Sequence, residues 1–185
     1  MEILFVRHGQ PDKSGVDARG FIGHGRDLAP LTARGVEQAA AASKSPLLTG
    51  AQLILTSPYT RAMQTAAILS KNTGIDIAVE LNLHEFLSDK TYQLKSEAED
   101  IALHEEFNRC LGEYPAGETR KWETVGEIIS RTKAVLDAYY ARGYQKIIVV
   151  SHGGVIRRYT GVHKLDYCEI CRVEYTPDFE CFGWV

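Results

Sequence analysis

Arg7 and His8 stand side by side and are followed by Gly9, while a second histidine, His152, is followed by Gly153 and Gly154. A further arginine, Arg61, comes shortly after Ser57 and Pro58. Arginine beside histidine suits phosphoryl transfer. A neutral imidazole nitrogen can attack phosphorus in line, while guanidinium groups bind the non-bridging oxygens and absorb the charge that moves in the transition state. Neighbouring positive charge also lowers a histidine pKa from its reference of about 6.5, which keeps the nucleophile unprotonated near neutral pH. A lone arginine at a strand end is more often solvated or ion-paired, and Arg7 with His8 alone would read as a structural pair. The coincidence of several such segments is what points to an anion site. Chemistry alone does not choose between His8 and His152 as nucleophile, and it still lacks a proton donor.

The elements that must position these residues follow from the apolar pattern. Ile3 to Val6, Leu53 to Thr56, Ile75 to Val79 and Ile147 to Val150 read as buried strands, with Cys171 to Tyr175 late in the chain. They alternate with helical patterns, which defines an α/β protein with a mostly parallel sheet covered by helices. Arg7 to Gly9, Ser57 to Arg61 and Ser151 to Gly154 all follow strands. They therefore share the C-terminal rim where open α/β sheets bind ligands. Ser57 reads as a helix cap and Pro58 as the first helical residue, so Arg61 falls in a first turn whose free N–H groups favour an anion. Gly9, Gly153 and Gly154 let main chain approach a ligand closely.

The helices are marked by their ends. Thr32 reads as a cap, with Leu31 placed to staple against Val36. Thr124 and Glu127 form a capping box before a stripe of Val125, Ile128, Ile129, Thr132, Val135, Leu136 and Tyr139, and Gly143 suits the terminating left-handed position. Ser96 and Glu99 form another box, opening a helix with Ile101, Leu103, Phe107 and Leu111 inward and Gly112 as its stop. Its acidic residues, among them Glu97, Asp100 and Glu105, read as its solvated side. Between about residues 86 and 122 the strand and helix alternation lapses, so this stretch reads as an insertion over one edge of the sheet.

Composition narrows the rest. The chain has 185 residues, with 21 Lys plus Arg against 24 Asp plus Glu and a formal net charge of -3. That length makes one domain, and a chain of this size buries roughly 70% of its unfolded surface. No apolar run approaches the roughly 20 residues of a spanning helix, and the run before Arg7 is too short for a signal peptide. A soluble, cytoplasmic protein is the expectation, with no membrane partner. The balanced charge argues against a nucleic-acid partner. Cys110, Cys168, Cys171 and Cys181 are too few for a disulfide framework. Cys168 and Cys171 have the spacing of half a zinc site, but the matching half is missing and a strand would turn them to opposite faces.

With these residues in view, the chain resembles the histidine phosphatase superfamily, the phosphoglycerate mutase-like enzymes. The likeness runs through Phe5 to Gly9, Phe21 to Gly35, Ser57 to Thr65, Glu85, and Val149 to Gly154. It implies a single three-layer α/β/α domain over residues 1–185, with a small helical cap at about 86–122. It implies that His8 is the nucleophile that becomes phosphohistidine, and that Arg7, Arg61 and His152 complete the phosphate pocket. Glu85 falls where the family places its general acid. A carboxylic acid with a reference pKa near 4.3 donates a proton at neutrality only where burial or a neighbouring dianion raises that value. Water would then attack phosphohistidine with Glu85 acting as base. The scheme calls for no metal and no cofactor, because arginines and histidine supply the positive field.

The family holds both hydrolases and mutases. Gln10 and the Phe21, Ile22, Gly23 segment are similar to mutases, and other positions depart from them. Ser14 stands where mutases carry an asparagine, His24 where they carry tryptophan, and Phe86 and Leu87 replace an Arg, His, Tyr pattern after Glu85. The insertion lacks the paired arginines that grip a substrate carboxylate. Hydrolysis of a small phosphomonoester is therefore expected, with mutase-type transfer and a non-catalytic phosphate binder as alternatives. Ser14, Gln10 and Gly153 are candidate substrate contacts beside Arg7, Arg61 and His152. Phe86, Tyr92, Trp122, Lys90, Arg109, Arg120 and Lys121 are candidates to meet the leaving group. His84, His104 and His163 read as surface or packing residues, and Tyr167, Tyr175, Phe179, Phe182 and Trp184 as core.

Overall fold

The computed structural model describes residues 1–184. Strands β1 (Glu2–Arg7), β2 (Ile54–Thr56), β3 (Ile77–Val79), β4 (Lys146–Ser151) and β5 (Ile170–Glu174) form one sheet in the order β3-β2-β4-β1-β5. The first four run parallel, and β5 is antiparallel to β1. Side chains alternate across a strand, so the all-apolar runs of β1 and β4 feed two cores at once. Ile3, Phe5, Ile147 and Val149 pack on one face, with residues of α5 (Val125–Ala141) and α6 (Gly153–Thr160). Leu4, Val6, Ile148 and Val150 pack on the other, against Ala62, Ala66 and Leu69 of α3 (Thr60–Thr73). These are the three layers of a single α/β domain. Each fully buried Leu or Ile contributes roughly 1.5–3 kcal/mol, so the strands are held in register along their whole length. Register pairs Arg7 with Ser151 and Thr56 with Val150, which levels the three strand ends on one rim.

Several local features differ from the sequence pattern. Helix α3 begins at Thr60 with Tyr59 in the capping position, so Pro58 lies outside it. The Ser57 hydroxyl is bonded to His152 Nε2 at 2.8 Å, so the turn from Ser57 to Tyr59 serves the histidine as well as the helix. Arg61 still rides in the first turn. After the short α1 (Ser14–Asp17), helix α2 (Ala33–Ala42) is capped by the Thr32 hydroxyl as expected, with Leu31 buried and Val36 exposed. Both arms of the Thr124 and Glu127 box form at α5. At α4 (Glu97–Arg109) only one arm does: Ser96 accepts from Glu99 N–H, but the Glu99 carboxylate accepts from Lys95 N–H instead of closing on Ser96. Ile101 and Leu111 are exposed, because Ile101 faces an open cavity and Leu111 sits past the helix end at positive φ. Strand β5 begins after Cys168, which is buried off the strand in a left-handed conformation. Helix α6 gave no sequence signal of its own, being short and opened by two glycines. No helix among the described residues is long and apolar enough to cross a membrane.

Gly9 does not face a ligand. A Cβ there would stand 2.6 Å from the carbonyl oxygen of Gly35, and a Cβ on Gly35 would stand 2.4 Å from that of Gln10. The paired glycines let the loop after β1 lie against the start of α2, and Gly9 N–H is held by Thr65 Oγ1 of α3 at 3.0 Å. Gly35→Ala is expected to cost about 1–3 kcal/mol, the usual penalty of overpacking, measured as a lower urea midpoint. An unchanged midpoint would show that the loop yields freely.

Candidate functional site

The rim carries a cavity of about 500 Å³ between the sheet and the 86–122 segment. Arg7, His8, Arg61 and Glu85 all line it. His8 is 6% exposed. Its Nδ1 lies 2.8 Å from the Gly9 carbonyl, which can only accept, so Nδ1 carries the proton. Arg61 Nε donates to His8 Nε2 at 3.2 Å, so Nε2 carries the lone pair. Burial, then the Arg61 charge, lowers the His8 pKa to about 3, with Arg7 adding to the effect. The imidazole is neutral at physiological pH.

Arg7 is clamped by its Nη1 bond to the Leu165 carbonyl and by Tyr167, whose ring lies 4.3 Å below the guanidinium. Its buried Nε has no hydrogen-bond partner among the described residues. Arg61 is flanked by the Tyr59 ring at 5.1 Å and bonded through Nη1 to Asp27 Oδ1 at 2.9 Å. Glu85 accepts from Gly154 N–H at 3.2 Å and from Phe86 N–H at 3.0 Å. Gly154 is needed for this contact, since a Cβ there would stand 2.2 Å from the carboxylate. The backbone of Glu85 is braced by Arg131, which donates to its carbonyl and to that of Asn82 while gripping buried Glu123.

The remaining expected residues are placed differently. His152 lies beneath the cavity floor, fully buried, its ring 5.1 Å from that of His8 and its Nδ1 without a partner among the described residues. Burial and the nearby Arg61 hold its pKa well below the ordinary value. Gly153 opens α6 close to Arg7 Nε without lining the cavity. Ser14 is exposed and spends its hydroxyl on Asp12, so Lys13 reaches the cavity in its place. Gln10 turns its carbonyl oxygen to the Thr32 hydroxyl, away from the cavity. Of the leaving-group candidates only Phe86 lines the cavity. Trp122 is buried on Glu106, and Tyr92 packs on His24. Lys90, Arg120 and Lys121 are tied to Glu127, Glu106 and Glu99, and Arg109 extends outward toward Glu106.

Sequence reasoning passed over several residues of the site. Tyr167 leaves the core to support Arg7, and His104 lines the cavity; within the tail, Tyr175 and Phe179 do stack in the core, whereas Phe182 and Trp184 are exposed. Asp27 is the largest omission. It joins Arg61 to His24, whose Nδ1 lies 3.3 Å from Asp27 Oδ2 and whose Nε2 lies 3.3 Å from the Asp89 carbonyl. The Asp27 hydrogen bond raises the His24 pKa. The only signal was an acid close after Gly23 in a segment already marked. Among the described residues no cluster of His, Cys, Asp or Glu is arranged to hold a metal ion.

A doubly wound sheet whose rim presents a neutral histidine between guanidinium groups defines a phosphoryl-handling α/β protein. The family model described as the histidine phosphatase superfamily (branch 1) matches residues 3–178, and the chain belongs to that superfamily. It is 26% identical over 200 residues to the probable phosphoglycerate mutase GpmB of Proteus mirabilis, covering 100% of this chain and 90% of that protein. It is 28% identical over 155 residues to the putative phosphoserine phosphatase 2 of Hydrogenobacter thermophilus, covering 83% and 74%. Among solved structures, mycobacterial glucosyl-3-phosphoglycerate phosphatase with VO3 superposes with a TM-score of 0.69 at 19% identity, over 92% of this chain and 90% of that one. YhfR of Bacillus stearothermophilus gives 0.72 at 18% identity, over 100% and 95%. These last two show the shared fold.

Two measurements check the electrostatics. Between a pH of about 6.5 and the folded value of about 3, unfolded His8 binds a proton that folded His8 refuses, so its contribution destabilises the fold as pH falls. At about 1.4 kcal/mol per pH unit, the native chain is expected to lose about 3 kcal/mol more than His8→Gln between pH 7 and pH 4 in urea titrations. Equal losses would contradict the buried neutral ring. Asp27→Asn removes a negative charge competing with phosphate for Arg61. Inhibition by inorganic phosphate should strengthen about tenfold, a modest share of the Coulomb energy available at this range, and weaker inhibition would count against the competition.

Proposed function

We propose that the protein is a phosphatase that hydrolyses a small phosphomonoester through phosphohistidine at His8. The observation that carries this reading is the lone pair on His8 Nε2, directed at Arg61 in a cavity that Arg7 also lines. An incoming phosphoryl group takes over the Arg61 and Arg7 donors, and Nε2 is released to attack phosphorus. The N–P bond forms as the ester P–O bond breaks, and Glu85 passes its proton to the departing oxygen. Water then attacks phosphorus, its proton returns to Glu85, and the N–P bond breaks to give inorganic phosphate. His152 supports the His8 ring from below and completes the positive surround only as a donor through Nδ1.

Phosphatase is favoured over mutase by the far wall of the cavity. Glu97, Asp100 and Glu105 line it, and none of the insertion's lysines or arginines does. A sugar acid retained between two transfers would meet this acidic wall, in which Glu97 is paired with Arg26. The insertion, residues 86–122, acts in this reading as the cap over the phosphate pocket.

Incubation with p-nitrophenyl phosphate, with and without chelator, is expected to release nitrophenol equally in both. His8→Ala should lower kcat on the order of 10⁴-fold and Arg61→Ala about 10² to 10³. Quenching under alkaline conditions should trap acid-labile phosphate on His8; label on serine or aspartate would overturn the scheme. Glu85→Gln should slow esters of aliphatic alcohols more than nitrophenyl phosphate, which needs less protonation of its leaving group. Interconversion of 2- and 3-phosphoglycerate faster than phosphate release would establish the mutase instead.

A further inference from the structure

A second cavity of about 210 Å³ adjoins the first, and Glu85, Phe86, His104 and Asn108 belong to the walls of both. Beyond Glu85 its surface changes character. Phe107, Val125, Ile128 and Trp184 make it apolar, with Phe107 stacked near Phe86 at 4.2 Å and edge-on to Trp184 at 5.3 Å. Arg157 and Arg158 of α6 also line it. Arg158 is 3% exposed, donates through Nη1 to the Gly183 carbonyl, and has a buried Nε with no partner among the described residues. Burial, then the adjacent Arg157, lowers the Arg158 pKa to about 10. A buried guanidinium with an unmet donor is costly unless an acceptor reaches it.

We propose that this second cavity receives the alcohol portion of the substrate, and that this alcohol has an apolar ring or branched chain ending in a carbonyl or carboxylate acceptor. The proposal rests on the phosphatase reading, because it takes Glu85 as the point where ester oxygen and alcohol meet. The phosphoryl group lies over His8, the scissile oxygen reaches Glu85, and the apolar body crosses Phe86 to lie against Val125 and Ile128. The terminal acceptor then meets Arg158. A polyol would strip its hydroxyls of water in such a space and find few partners. Specificity would come from the change in lining across Glu85, and the acidic wall of the first cavity would exclude acceptors carried close to the phosphate.

The test compares benzyl phosphate, 4-carboxybenzyl phosphate and glycerol 1-phosphate, whose leaving oxygens are all aliphatic, and adds calorimetric binding of the free alcohol 4-(hydroxymethyl)benzoate. The kcat/KM values are expected to rise in the order glycerol, benzyl, 4-carboxybenzyl, with at least tenfold between the ends. Asn108→Phe, an exposed wall position, should lower the benzyl-to-glycerol ratio at least fivefold by filling the cavity. Arg158→Met should remove the advantage of carboxybenzyl over benzyl and weaken binding of the free alcohol by a similar factor. Hydrolysis of all three esters with glycerol phosphate preferred, together with no binding of the free alcohol, overturns this proposal and leaves the phosphatase intact. Binding of the free alcohol, lost in Arg158→Met, with no phosphate released from any ester supports the cavity assignment and overturns the phosphatase.

Discussion

The site depends on one constraint: His8 must stay neutral and present Nε2 while buried beside permanent positive charge. Burial and the Arg61 charge keep the ring neutral, and the backbone fixes which nitrogen is presented. The Gly9 carbonyl fixes the proton on Nδ1, and that carbonyl is itself fixed because Gly9 is pinned between Gly35 and Thr65. The Arg61 guanidinium then does two jobs with one group. It adds to burial in suppressing protonation of the ring, and it donates to the Nε2 lone pair. Proximity of like charge, ordinarily a cost, here helps burial keep the ring neutral.

That cost is offset by the neighbours of the two arginines. Arg7 rests on an aromatic face and a carbonyl, which stabilise a guanidinium without cancelling its charge. Arg61 is treated differently, since Asp27 supplies a full countercharge. Arg61 is therefore neutralised until an anion arrives to compete. The two arginines are thus unequal: Arg61 carries a carboxylate countercharge, whereas Arg7 rests on a carbonyl and an aromatic face. The Asp27 link continues through His24 to the Asp89 carbonyl in the insertion, so the balance at Arg61 is tied physically to the position of the cap.

What was legible in the sequence, and what was not, divides along the same line. The rim residues follow strands whose apolar runs are long and buried on both faces, so register alone carries Arg7, Thr56 and Ser151 to one level. Periodicity reports that kind of constraint well. It failed at Ser57 and Pro58, where a tertiary bond to His152 displaced the helix start, and at Ser14 and Gln10, whose polar groups close local turns instead of meeting a ligand. Asp27 and Tyr167 were missed because each acts through contact with an arginine distant in sequence. A tyrosine in an apolar tail carries no mark showing that it stacks on a cation, and the same tail supplies true core in Tyr175.

The insertion is the least legible region for an energetic reason. Helix α4 buries none of its residues completely, so hydrophobic periodicity had little to report and misplaced Ile101 and Leu111. Its attachment relies on ion pairs such as Arg26 with Glu97 and Lys121 with Glu99, whose exposed character makes each worth at most about 1 kcal/mol. Buried Trp122 and its contacts with Phe107 and Tyr114 supply the firmer anchor. A segment held this way can change its wall residues without disturbing the strands beneath. Arg7 and His8 follow directly on the buried strand β1 and Arg61 rides on α3 packed against the sheet, whereas His104, Phe107 and Asn108 of the second cavity's wall lie on α4. The lining beyond Glu85 therefore divides between exchangeable positions on α4 and fixed ones on α5 and α6.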